Sequence, residues 1–187
     1  MDPKTFFKNA IDKTSGIVPC VSNDKFNLST PCSDWDLKQL LNHLVNELLW
    51  VPELLDGKTI EEVGSKLDGD LVGSDFAEAW ESATKAAIKA VEACDLQMIV
   101  HLSYGDMPAE HYVKEMASDV LIHGWDVAQS VQCSMIMGDD LAEQAYRQLE
   151  PHIQDYRDGG FVGPEIDVPN DADMQTKLLA IVGRKGV

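Results

Sequence analysis

Residues 109–131 read AEHYVKEMASDVLIHGWDVAQSV, and this stretch decides the fold class. Its apolar side chains recur every three or four residues, which is the spacing of one face of an α-helix. They are Val113, Met116, Val120, Ile122, Val127 and Val131. Pro108 stands immediately before the stretch, where a proline helps to start a helix. The pattern predicts one long amphipathic helix that packs its apolar face against other helices.

Asp119 and His123 are four residues apart in this predicted helix. Residues at that spacing share a face with Cβ atoms about 5–6 Å apart, so a carboxylate and an imidazole can converge on one divalent cation. The alternative is an intrahelical ion pair, which contributes only about 0.2–0.5 kcal/mol on an exposed surface. Apolar neighbours place the pair towards the interior, where a carboxylate must be paired or coordinated.

A second helix is predicted to run from Asp36 to Gly57. Asp36 can cap its start, and Gln39 three residues later completes a capping box. A leucine-rich stripe at helical spacing follows. His43 borders this stripe and is the candidate for a third metal ligand, the alternative being a packed, hydrogen-bonded histidine.

The rest of the chain predicts further helices joined by loops. Up to residue 137 we expect a helix from residue 3 to about 17, a short capped piece at 59–62, a glycine-rich loop at 64–73, a helix from about 75 to 94, and an extended segment at 98–107 with a turn at Gly105-Asp106. Beyond it we expect a helix from Asp139 or Asp140 to Tyr156, an arm at 161–169 and a short helix ending at Gly183. The fold class is therefore all-α. Residues 1–137 form a four-helix bundle with a long crossover loop, and residues 138–187 form a C-terminal helix, an extended arm and a final helix that pack on the bundle.

The charge balance excludes two classes of partner. The chain has 15 Lys and Arg residues against 32 Asp and Glu residues, a formal charge of -17. Such a protein repels phosphate backbones and anionic lipid headgroups, so we expect neither nucleic acid nor a membrane as partner. There is no apolar run of about 20 residues, and the first residues open a polar helix rather than a signal peptide, so we expect a cytoplasmic protein.

The four cysteines, Cys20, Cys32, Cys94 and Cys133, are dispersed, with no Cys-x-x-Cys pair. This excludes a zinc ribbon and a thioredoxin-type redox motif, and we expect four buried free thiols. Cys32 lies in a turn that can contribute a thiol to a metal pocket or serve the structure alone.

We expect most other polar residues of the long helix to have structural rather than metal-binding roles. His111 is three helical steps from His123, and each step of four residues rotates the direction by about 40°, so the two histidines do not meet at one ion. Glu115 is either a fourth ligand or an exposed acid. We expect Trp125 to anchor the core and Asp126 to bond a backbone amide or a neighbouring helix.

Five segments together resemble a known family. They are TPCSDWDL at 30–37, LNHL at 41–44, HGWDVA at 123–128, FVGPE at 161–165 and LLAIVGR at 178–184. In this order they are similar to the mycothiol-dependent maleylpyruvate isomerase N-terminal-like proteins of the DinB superfamily, and more narrowly to their short, actinobacterial-type metal-binding branch. The resemblance runs from about Thr30 to Arg184.

The resemblance implies a DinB-like four-helix bundle that holds a divalent metal, zinc or nickel, at one end. The ligands in such proteins correspond here to His43, Asp119 and His123. The carboxylate is commonly glutamate in the enzyme branch, so the shorter Asp119 is a departure. The isomerases also carry a sizeable C-terminal domain, whereas this chain has only the segment after about Gly138, and we do not expect maleylpyruvate isomerisation itself.

The implied function is that of a thiol-dependent transferase or isomerase, in which the metal activates a low-molecular-weight thiol such as mycothiol, or a water, against an electrophilic substrate. We expect the loop from Gly57 to Gly73 to shape the pocket. The alternative is a non-catalytic metal-binding or dimerisation module, with a homodimer as the assembly and a structural or vestigial site. A metal-dependent hydrolase is a weaker third option, because no separate general base stands out.

Overall fold

The computed structural model describes residues 1–185, and the all-α class is confirmed there. Residues 186 and 187 of the predicted C-terminal segment lie outside the described residues. The helices of the described chain are α1 (Pro3–Ser15), α2 (Leu37–Leu55), α3 (Ile60–Val63), α4 (Phe76–Ala93), α5 (Ala109–Ser130), α6 (Asp139–Leu149), α7 (Ile153–Asp158) and α8 (Met174–Ile181). Strands β1 (Ile99–Leu102) and β2 (Gly105–Pro108) pair antiparallel. None of the helices in residues 1–185 has the length and hydropathy needed to cross a membrane.

Helices α1, α2, α4 and α5 form the bundle, with α1 packed on α5 and α2 packed on both α4 and α5. The capping box predicted for α2 is present, since Gln39 N–H donates to Asp36 Oδ1 and Gln39 Oε1 accepts from Asp36 N–H. The stripe of α2 is buried in the core. Removing these leucines from water supplies most of the driving force that holds α2 in place, at about 25 cal/mol per Å².

Helices α1 and α5 approach each other closely at Gly124. A Cβ at this position would lie 2.4 Å from Oγ1 and 2.7 Å from Cγ2 of Thr14. The Thr14 hydroxyl donates to the Val120 carbonyl on α5 at 3.1 Å. Only glycine permits this contact, which fixes the helix that carries Asp119 and His123.

The extended segment at 98–107 is a β-hairpin, and the turn predicted at Gly105-Asp106 is wrong. Leu102 pairs with Gly105, so the turn is Ser103-Tyr104 and the Gly-Asp pair lies in β2. Gly105 has a φ of 137°, which suits glycine at the start of the strand. The Tyr104 hydroxyl donates to Glu115 on α5, a tertiary contact that local turn preferences do not contain.

The helix predicted from residue 139 to Tyr156 is also wrong, because it is interrupted. Helix α6 ends at Leu149, a 3₁₀ turn covers Glu150–His152, and α7 follows. Pro151 explains the break, since proline removes a helical N–H and its ring clashes with the carbonyl four residues earlier. Helix α6 packs on α5 and α8. Helix α8 starts from an Asp173 cap and ends two residues before Gly183.

The expectation of four free thiols is wrong for two cysteines. Cys20 and Cys133 form a disulfide across 113 residues of sequence, whereas Cys32 and Cys94 are free and partly buried. Cys20 follows α1 and Cys133 follows α5. Their proximity results from the packing of these two helices, so sequence spacing carried no sign of it.

Candidate metal centre

His43 on α2 meets Asp119 and His123 on α5. The Nε2 atom of His43 lies 3.5 Å from Asp119 Oδ2, and the Nε2 atom of His123 lies 3.4 Å from Asp119 Oδ1. The two imidazole rings are nearly perpendicular, with centroids 4.8 Å apart. One potential ligand atom from each of the three side chains lies within 4.8 Å of the others. The structure thus brings the three sequence-predicted residues to one point.

Two atoms at this point lack the partner that burial requires. Within residues 1–185, His43 Nε2 and Asp119 Oδ2 are buried and make no hydrogen bond. Buried polar atoms are nearly always satisfied, because an unmade hydrogen bond costs about 1–3 kcal/mol. An imidazole nitrogen and a carboxylate oxygen that face each other without bonding are a donor set that suits a divalent cation. The residues therefore fit a bound metal.

Asp126 contacts the nitrogen of His123 that faces away from Asp119. It lies one turn further along α5, is fully buried, and its Oδ2 is 3.0 Å from His123 Nδ1. This contact places the proton on Nδ1 and leaves the Nε2 lone pair directed at the centre. We expected Asp126 to bond a backbone amide or a neighbouring helix, and its partners are instead side chains.

Arg184 completes the support of Asp126. Its Nε and Nη2 atoms donate to Oδ1 and Oδ2 of Asp126 at 3.3 and 3.0 Å. Beside the buried Asp126 carboxylate the pKa of Arg184 rises above its usual value, although burial alone would lower it. Arg184 is aimed back into the site by Gly183, whose φ is 77° and whose added Cβ would lie 2.8 Å from Gly163 Cα. Arg184 is 58 residues from Asp126, so no local pattern in the sequence marks it as a site residue.

Cys32 is part of the same cluster but is not an activated thiol. Its Sγ donates to Asp126 Oδ2 at 3.2 Å and accepts from Arg184 Nη2 at 3.1 Å. Burial, followed by the charge of Asp126, raises the pKa of Cys32 to about 12. Cys32, His123 and Asp126 also have ligand atoms close enough for a metal. Because Asp126 is already bonded to Arg184, the set of His43, Asp119 and His123 is the better candidate for the metal site.

The two imidazoles beside Asp119 favour its ionised form. Burial alone would raise the pKa of Asp119, but the imidazoles of His123 and His43 hold it below its ordinary value. Burial alone would lower the pKa of His43, and the Asp119 carboxylate raises it. Burial and the charge of Asp119 raise the pKa of Glu47, whose Oε1 is 3.9 Å from His43 Nδ1, to about 7. Asp119 is thus the ionised carboxylate among the three ligand candidates.

Two cavities border the three residues. One, of about 530 Å³, is lined by the turn at Pro31–Trp35 and reaches His43, while the other, of about 470 Å³, lies between α5 and the C-terminal segment. Asp119 and His123 line both, and so do Phe161, Val162 and Arg184. Trp35 stacks on His43 with ring centroids 4.7 Å apart. The centre is therefore reachable from two sides.

The loop from Gly57 to Gly73 does not shape either cavity, which corrects our expectation. Among the described residues, none that line the two cavities belongs to this loop. Asn42 and Asn46 hold it along α2 by donating to the carbonyls of Gly69 and Leu67 at 3.0 and 2.8 Å. The turn at Pro31–Trp35 and the arm around Phe161 take its place.

The other polar candidates of α5 have partners of their own. Glu115 is not a free acid, because it accepts hydrogen bonds from Tyr104 and Tyr156. His111 packs edge-on against His152, with centroids 5.7 Å apart. Trp125 is buried in the core, as expected.

Comparisons with known proteins give one family match and two curated relatives. A family model described as the mycothiol maleylpyruvate isomerase N-terminal domain matches residues 7–128, which include His43, Asp119 and His123. Two curated relatives are uncharacterized proteins of Mycobacterium tuberculosis, from strains CDC 1551 / Oshkosh and ATCC 25618 / H37Rv. Each is 27% identical over 190 residues, covering 98% of this chain and 98% of the relative. No solved structure is a significant match.

Proposed function

Because the chain belongs to the family of the mycothiol maleylpyruvate isomerase N-terminal domain, we propose that it is a metal-dependent S-transferase that uses a small thiol such as mycothiol. His43, Asp119 and His123 hold zinc or nickel in this proposal. One observation carries it: the buried, unbonded Nε2 of His43 and Oδ2 of Asp119, which face each other across 3.5 Å.

A divalent cation at this point supplies positive charge that lowers the pKa of a bound thiol into the neutral range. Neighbouring residues of the chain position the three ligand side chains for metal binding. Asp126 keeps the Nε2 lone pair of His123 directed at the centre, contacts with His123 and Arg184 keep Asp126 ionised, and Trp35 packs on the imidazole of His43. Three protein ligands leave a coordination position open, as in catalytic rather than structural zinc sites.

The reaction class is transfer of the thiol sulfur to an electrophilic carbon. The sulfur forms the new bond to carbon with its own electron pair, the leaving group departs with the pair of the bond that breaks, and the thiol proton goes to solvent. A purely structural metal site is the alternative. The two cavities that reach Asp119 and His123 favour the reactive function, because a structural site is enclosed by its four protein ligands.

Metal analysis tests the site. We expect purified protein dialysed against zinc or nickel to bind one ion per chain, and the double variant His43→Ala/His123→Ala to bind none. His101→Ala is the matched control, since this exposed histidine bonds Asp106 on the hairpin, outside the centre. Full metal retention by the double variant would overturn the assignment.

Thiol binding separates the reactive from the structural site. In cobalt-substituted protein we expect a thiol to add a sulfur-to-cobalt charge-transfer band, with no loss of metal. If the thiol leaves the spectrum unchanged and metal removal only lowers the melting temperature, the site is structural.

A further inference from the structure

The cavity between α5 and the C-terminal segment has an apolar wall. Its volume is about 470 Å³, within the range of small-molecule sites. Its apolar lining residues are Met116, Ile122, Leu149, Phe161, Val162 and Val182. Residues after 138 supply half of the whole lining, so the C-terminal segment builds this cavity.

The charged groups of the same wall disfavour an anion. Glu115, Asp119 and Asp155 line it, and among the described lining residues Arg184 is the one lysine or arginine. Arg184 is already bonded to Asp126, to Cys32 and to the Val182 carbonyl. With the open metal position taken by the thiol, a substrate carboxylate would lose its hydration here without gaining an unpaired cationic side chain.

The second cavity, on the other side of Asp119 and His123, has a different character. Ser33, Asp34 and the backbone around Gly163 and Gly183 contribute to its lining, so polar groups form about half of it, beside the rings of Trp35 and Phe161. Phe161, Val162 and Arg184 belong to both linings and stand between the two cavities. A hydrophilic thiol suits this second cavity, because its hydroxyl and amide groups would find polar partners there.

We infer that the apolar cavity binds the acceptor substrate of the S-transfer as an uncharged, largely apolar molecule, with the hydrophilic thiol on the opposite side of Asp119 and His123. The assignment of an acceptor rests on the proposed function. The ligand preference of the cavity does not, and it can be measured without turnover.

A matched pair of fluorescent probes tests the preference. N-phenylnaphthylamine and anilinonaphthalene sulfonate share the same ring skeleton and differ by one anionic group. At about 0.3 M salt, where the Debye length is below about 8 Å, the overall charge of the protein is screened and local groups decide. We expect the uncharged probe to bind the full-length protein at least about tenfold more tightly than the anionic one.

Variants locate the probe. Met116→Trp fills the cavity from a partly buried position and should weaken binding of the uncharged probe at least about tenfold. Val162→Trp is a second filling variant on the arm, and far-UV circular dichroism verifies that both are folded. Ile136→Ser removes an isoleucine that is 72% exposed outside the cavity and should leave binding unchanged. Asp155→Asn removes a negative charge from the lining and should reduce the difference in affinity between the two probes.

The outcomes separate this inference from the proposed function. Equal or tighter binding of the anionic probe overturns the inference, and so does unchanged binding in both folded filling variants. The His43→Ala/His123→Ala protein should lose metal and still bind the uncharged probe. If that variant keeps its metal while the probe data hold, the metal assignment fails and the apolar site stands.

Discussion

Replacing Gly124 with alanine should destabilise the protein, although the same change stabilises most helices. In a helix with free space, alanine is more favourable than glycine by about 1 kcal/mol. Here the new Cβ would meet Thr14 Oγ1 at 2.4 Å and Cγ2 at 2.7 Å. Thr14 is β-branched and stiff, and its hydroxyl is bonded to Val120, so it has little freedom to move away.

The magnitude follows from three effects. Overpacking of a tight contact costs about 1–3 kcal/mol. A partial rotation of Thr14 leaves this strain in place and also breaks the buried bond to the Val120 carbonyl, which adds about 1 kcal/mol. The higher helix propensity of alanine stabilises the folded protein by about 1 kcal/mol and offsets part of these costs. We therefore expect Gly124→Ala to lower the free energy of unfolding by about 1–3 kcal/mol.

Urea unfolding followed by circular dichroism measures this change, with Thr14→Ala as the second arm of a double-mutant cycle. The Thr14→Ala protein lacks Oγ1 and Cγ2 and keeps only a Cβ, 3.0 Å from the new methyl group. In this background we expect Gly124→Ala to cost at least about 1 kcal/mol less. The reasoning is refuted if Gly124→Ala is as stable as the parent protein, or if its cost is the same in both backgrounds.

Three further perturbations address separate contacts. Asp126→Asn should weaken metal binding about 10–100-fold in equilibrium dialysis, because it disturbs the proton on His123 Nδ1, and an unchanged affinity would contradict this role. Gly183→Ala should lower the free energy of unfolding in urea by about 1–3 kcal/mol, since φ is 77° and the arm lies within 2.8 Å; a neutral result would show that the arm is loosely packed. Reduction of the Cys20–Cys133 disulfide should lower the free energy of unfolding by about 2–4 kcal/mol in urea, with Cys94→Ser as a neutral control, and equal stability with and without reductant would argue against the bond.

The fold could be predicted where local chemistry decides it. The cap at Asp36, its partner Gln39 and the leucine stripe are all within a few residues of one another, and the structure has the predicted helix. The start of α4 at the Asp75 cap follows the same logic. The hairpin turn and the break in α6 were missed for different reasons. The position of the hairpin turn depends on the contact of Tyr104 with α5, which is distant in sequence. Pro151 is a local signal for the end of a helix, but the apolar pattern on both sides of it favoured one continuous helix.

The candidate site shows the same division between local and distant information. Asp119 and His123 are one helical turn apart, so their juxtaposition is implicit in the sequence. His43 could be added only from a resemblance and from its place beside the stripe. Arg184 and Cys32 meet Asp126 through sequence separations of 58 and 94 residues, which no periodicity encodes.

The motif His123-Gly124-Trp125-Asp126 joins fold and site within one helical turn. Successive residues of a helix point about 100° apart, so its first three members face different neighbours: His123 the ligand cluster, Gly124 helix α1 and Trp125 the core. Asp126 returns to the side of His123 and orients it. Consequently, changes at Gly124 and Asp126 should separate experimentally. The change at Gly124 should lower the free energy of unfolding without a matching loss of metal affinity. The change at Asp126 should lower the metal affinity and, because Asp126 is buried and paired with Arg184, the free energy of unfolding as well.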